Sequence, residues 1–142
     1  MQKGERDDFI FYYKMPSKGI EEHGIADCKL APILANSELV IVRYDIPFGL
    51  DAAPDAASGQ ILVTKDAQSP QIERTGDILR QATYWQGKRP MIIDVSKNAA
   101  EWDLIVKALM TNTRQVTEDI VMVFERPNLS ERIFLNVDVC IE

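Results

Sequence analysis

A chain of 142 residues, 46% hydrophobic and 27% charged, carries enough apolar material for one domain with a real core. Its formal net charge of -6 argues against non-specific binding to nucleic acid or to anionic membranes, which carry charge of the same sign. No apolar run approaches the roughly 20 residues that span a bilayer, so direct membrane insertion is not expected.

The first eight residues, Met1 to Asp8, are charged and lack both a signal-peptide apolar core and the composition of a transit peptide. Phe9-Ile10-Phe11-Tyr12-Tyr13 reads as a strand or a sticky docking segment. Turn-formers follow at Pro16, Gly19, Gly24 and Pro32, so residues 1–37 are expected to be an N-terminal extension. The domain proper is expected over residues 38–127. Leu39 to Tyr44 is a β-branched apolar run of strand length. Directly after it comes Ile46-Pro47-Phe48-Gly49-Leu50-Asp51-Ala52-Ala53-Pro54, in which one glycine sits between two large apolar residues. Such a turn can curl tightly, because glycine accepts dihedrals that other residues avoid. Successive N–H groups then converge into an anion-binding nest.

Gln60 to Lys65 is a second strand, and Ser69-Pro70 pairs an N-cap with proline at the first helical position, predicting a short helix that stops before Gly76. Asp77 to Thr83 and Met91 to Val95 predict two further strands. Asn98 with Glu101 three positions on is a capping-box variant, opening a helix whose stripe is Trp102, Ile105, Val106 and Leu109. Asp119 to Glu125 is the last strong strand. Residues 128–142 form a C-terminal extension, in which Ile133 to Ile141 offers another edge strand or a docking segment.

Cys28 and Cys140 are too few and too far apart for a disulfide framework, which points to reduced thiols inside a cell. Asn128-Leu129-Ser130 matches a glycosylation sequon by chance on this reading. His23 and Cys28 are the one candidate pair of base and nucleophile, with no third group to orient them, so no catalytic residue is assigned. One histidine and two distant cysteines do not make a zinc site. No phosphate-binding glycine loop occurs, and no cofactor is expected.

The order strand, glycine turn, strand, short helix, strand, longer helix, strand resembles a PDZ domain over roughly residues 38–127. Phe48-Gly49-Leu50 is similar to that family's carboxylate-binding loop. Ser69-Pro70 is similar to the start of its first helix, and Gly76-Asp77-Ile78-Leu79 to its Gly-Asp pair and following strand. Asn98 to Met110 stands where its groove-lining second helix belongs. The wording of the loop and of Gly76-Asp77-Ile78-Leu79-Arg80 resembles PDZ proteins of plastids and cyanobacteria. The sequence departs from the family in having one residue fewer between the Gly-Asp and Ile-Leu pairs, and in its irregular 51–59 and 111–118 connections.

The resemblance implies an α+β fold: a partly open antiparallel β-barrel or sandwich of five or six strands with two helices. It implies a non-catalytic module that takes the C-terminal peptide of a partner as an extra strand between the strand opening at Leu50 and the longer helix. The terminal carboxylate would accept N–H bonds around Phe48, Gly49 and Leu50, with Asp51 and Ala52 continuing the strand and Arg43 adding positive charge. Val106 and Leu109, with Ile105 beside them, would wall the pocket for the last ligand residue. Gapless counting leaves either Glu101 or Trp102 facing the antepenultimate residue; tryptophan would favour an apolar group, glutamate a hydroxyl or a cation. The alternative is a structural or assembly subunit, for example of a photosynthetic complex, that docks through Phe9–Tyr13 and Ile133–Ile141 with its groove unused. The compartment expected is reducing and intracellular, either cytoplasm or the plastid stroma and thylakoid surface.

Overall fold

In the computed structural model, which describes residues 6–128, eight strands form two antiparallel sheets with a single α-helix. The 128–142 extension, with its docking or strand segment Ile133–Ile141, lies outside the described residues apart from Asn128. The smaller sheet is a hairpin of β1 (Phe9–Lys14) and β2 (Ile25–Leu30). The larger contains β3 (Ser37–Asp45), β4 (Ala52–Pro54), β5 (Ile61–Val63), β6 (Ile78–Gln86), β7 (Arg89–Asp94) and β8 (Asp119–Pro127). Its order is β3-β8-β6-β5-β4, with β7 folded back onto β6. The helix, α1 (Trp102–Leu109), enters through a 3-10 turn at Ser96–Asn98. The architecture is therefore α+β and mostly antiparallel, two open sheets with no closed barrel, and among the described residues it has one α-helix where the sequence suggested two.

The layers follow from side-chain alternation. In β8, Ile120, Met122 and Phe124 point to one face and join Ile105, Ala108 and Leu109 of α1 in the principal core. Val121 and Val123 point to the other face and meet Tyr13, Met15 and Leu30 of the hairpin region. With a helix on one side and a hairpin on the other, β6 and β8 are buried almost throughout, which explains the continuous apolar run Ile120–Phe124 of β8, while β6 buries the polar Arg80, Gln81 and Thr83 as well. Phe9–Tyr13 thus packs its odd-numbered residues onto the sheet and turns Ile10 and Tyr12 outward, 80% and 70% exposed.

Alternation alone would not put Leu79 and Ala82 on the same face. The register of β6 against β8 shifts between Leu79 and Gln81, a bulge that inserts Arg80 and resets the alternation. Arg80 then reaches the wholly buried Glu125 at 2.6 Å. The β6–β7 turn, which sequence reading passed over, closes between paired Gln86 and Arg89 with Gly87 at φ 61°.

Two local expectations need correction. No helix follows Ser69-Pro70; the 64–77 segment is irregular and Ser69–Pro70 is a cis peptide. Tertiary bonds hold it instead: Tyr44 Oη donates to the buried Glu73, and Arg126 Nη2 donates to Ile72 O at 2.8 Å. Nor does Asn98 cap α1. Its amide donates to Asp94 O at 2.7 Å, and the helix begins three residues later with Glu101 at the N-cap position, making no side-chain bond.

Candidate functional site

The chain leaves β3 at Asp45, turns through a cis Ile46–Pro47 peptide and enters β4 at Ala52. Among the described residues, the N–H groups of Phe48, Gly49 and Leu50 donate no hydrogen bond, while Asp51 O accepts from Thr64 N–H at 2.8 Å. Three consecutive main-chain donors therefore remain free in the segment between the strands. The nest needs correcting in one respect: Gly49 does not adopt a left-handed dihedral, and a β-carbon built there meets nothing within 4 Å. No residue between Ile46 and Ala52 has positive φ, so the turn does not depend on glycine's conformational freedom.

The apolar residues of this segment and the start of the helix pack against the same core. Phe48, Leu50 and Ala52 are half-buried against the principal core, and so is Trp102 at the start of α1. Ile105 and Leu109 lie within that core, so they support the surface rather than form it. Val106 is half-buried, whereas Glu101 and Asp51 are exposed. Of Glu101 and Trp102, tryptophan packs against the core to which the turn also belongs, and glutamate is exposed. Ala99, which packs there too, was missed; only the 3-10 turn brings it close.

Arg43 is committed elsewhere. Its guanidinium pairs with Asp119 at 2.7 Å and donates to Lys14 O, tying β3 to the end of the hairpin. It also lines a cleft of about 620 Å³ with Pro47, Gly49 and the Gln68-Ser69-Pro70-Gln71 loop. Tyr44 lines that cleft too; its hydroxyl accepts from Ile72 N–H at 2.8 Å and donates to Glu73 at 2.6 Å. Burial, reinforced by the Glu73 carboxylate, pushes this phenol up to about 12. Glu101 and Trp102 line a separate cleft with Ala100, Asp103 and Leu104.

The two residues considered for catalysis have other partners. His23 rests edge-on against Trp85, ring centroids 5.5 Å apart, while Cys28 Sγ lies 3.5 Å from Gln81 Oε1. Burial pushes the Cys28 thiol up, as Asp27 does more weakly, while the Tyr13 hydroxyl opposes both. Among the described residues no three His, Cys, Asp or Glu side chains converge as a metal site, and no helix is long and apolar enough to cross a membrane.

No protein-family model, curated protein or solved structure matches this chain.

Proposed function

We propose that the chain is a PDZ-like, non-catalytic module that binds the C-terminal peptide of a partner protein and serves as an adaptor or scaffold. One observation carries the reading: β4 is the end strand of its sheet, and it directly follows a segment with three free N–H donors. An extended ligand added beside β4 would place its carboxylate on those donors and its side chains over Phe48, Leu50 and Ala52. The order of the large sheet, with the turn and the helix fringing one core, also supports it. Strand addition supplies sequence-tolerant affinity, and the flanking side chains supply selectivity. Two cysteines too far apart in sequence for a disulfide framework fit a reducing compartment, cytoplasmic or plastid.

Fluorescence polarisation against peptides synthesised as free acid and as amide tests this. Binding on the order of micromolar is expected for acids alone, as for other small transient interfaces. It should be lost in Ala52→Pro, which deletes an N–H that β4 does not use toward β5. Equal binding of acids and amides would reject the reading.

The second reading, an assembly subunit with a vacant groove, rests on the outward hairpin face. Ile10, Tyr12 and Ile25 there are 80%, 70% and 64% exposed. It would be favoured by loss of partner association in Ile10→Lys together with acid-independent peptide behaviour.

A further inference from the structure

The free edge beside the proposed groove is shorter than the strand that carries it. Thr64 N–H donates to Asp51 O and Asp55 N–H to Gln60 O, each at 2.8 Å, and Ala53 pairs with Leu62 between them. Residues of an antiparallel ladder alternate in direction, so Asp51, Ala53 and Asp55 bond inward to β5. Leu50, Ala52 and Pro54 therefore aim their main-chain polar groups at the open edge. The last of these has no N–H to offer. Pro54 is exposed, and the chain turns away immediately after Asp55, where Gly59 N–H returns to Asp55 O at 2.8 Å.

We infer that the site reads only the last three residues of its ligand, because Pro54 ends the ladder that a longer peptide would need. The inference rests on the peptide-binding reading above and deepens it. With the carboxylate on the free turn donors, the last ligand residue lies opposite Leu50 and the third-from-last opposite Ala52. At the first position Leu50 N–H donates to the carboxylate, and Leu50 O accepts the ligand's N–H. Ala52 exchanges both bonds with the third-from-last residue. The fifth-from-last residue meets Pro54, whose carbonyl still accepts but whose ring leaves the ligand's carbonyl unbonded. The chemistry selected is a free C-terminus with apolar last and third-from-last side chains. Phe48, Leu50, Ala52 and Trp102, each half-buried against the principal core, offer the apolar surface those two side chains would meet. Sequence further upstream is left unread.

Proline at a strand edge also blunts unwanted strand pairing, and that duty alone would require no ligand. The two roles separate experimentally. Acetylated peptides of three, four and six residues, all ending Leu-Ala-Val as free acids, are titrated into the wild-type chain and into Pro54→Ala. In the four-residue peptide the acetyl carbonyl occupies the place of the fifth residue's C=O. The wild type should bind the three- and four-residue peptides within about twofold of each other. Pro54→Ala should tighten the four- and six-residue peptides by about two- to tenfold, one net hydrogen bond, and leave the three-residue peptide unchanged. A Pro54→Ala variant that self-associates but binds every length like the wild type would overturn the inference. So would uniform tightening at all three lengths. Amide versions run in parallel separate this outcome from failure of the groove: if acids bind no better than amides, the peptide-binding reading falls and the footprint with it.

Discussion

Replacing Glu125 with glutamine should cost more stability than any surface change in this protein. The carboxylate is wholly buried and faces an Arg80 side chain only 6% exposed, at 2.6 Å. It also accepts the Ser37 hydroxyl at 2.6 Å and the N–H groups of Ile33 and Leu34 at 3.1 and 3.0 Å. Arg6 closes the cluster by donating to Ser37 Oγ and Leu34 O, so one side chain joins the sheet to the 31–36 connection. Arg80 Nε already lacks a partner, which leaves the guanidinium little else to turn to. Glutamine keeps the shape and one acceptor but strands a buried cation. Removing one member of such a pair costs about 3–5 kcal/mol, which corresponds to about 10–20 °C in Tm for a domain of this size. Thermal unfolding by circular dichroism and a urea titration would measure it. Arg80→Met combined with Glu125→Gln should lose less than the sum of the two single changes, because the stranded cation is gone. A loss below about 1 kcal/mol in Glu125→Gln, with an unchanged urea slope, would refute the reasoning and mean that water reaches the pair.

Two further outcomes follow from single residues. Tyr44 has its phenol raised by burial to about 12, so its contribution is complete below the ordinary tyrosine range near 10 and is lost as pH rises from there through 12. Tyr44→Phe should flatten the fall in stability over that window; an unchanged alkaline unfolding curve would show that Tyr44 is not the responsible group. Gly49→Ala should be neutral or stabilising by about 0.4–1 kcal/mol, since the site has space and no left-handed dihedral. It should leave peptide affinity intact because the N–H remains, and a drop in Tm of several degrees would contradict the geometry of the turn.

Most strands were legible in the sequence because their signal is local. Leu39–Tyr44, Gln60–Lys65, Met91–Val95 and Asp119–Glu125 each contain or overlap an observed strand, and the Trp102–Leu109 stripe became the helix. Around Phe48-Gly49-Leu50 the sequence suggested a tight glycine turn, and there the fold differs, because no residue of that turn has positive φ. Other features could not be read from local pattern, since distant residues set them. The helix expected after Ser69-Pro70 gave way to bonds from Tyr44 and Arg126, which lie 29 and 54 residues from Glu73 and Ile72. The bulge at Arg80 exists because a buried carboxylate 45 residues away draws the guanidinium inward. Arg43 reads as a free cation in sequence and is tied to Asp119 in the fold. Propensity and periodicity thus determined which segments extend or coil. Only three-dimensional packing decided which strand stayed at the edge, which of its N–H groups face outward, and that Pro54, which has none, stands last along that edge.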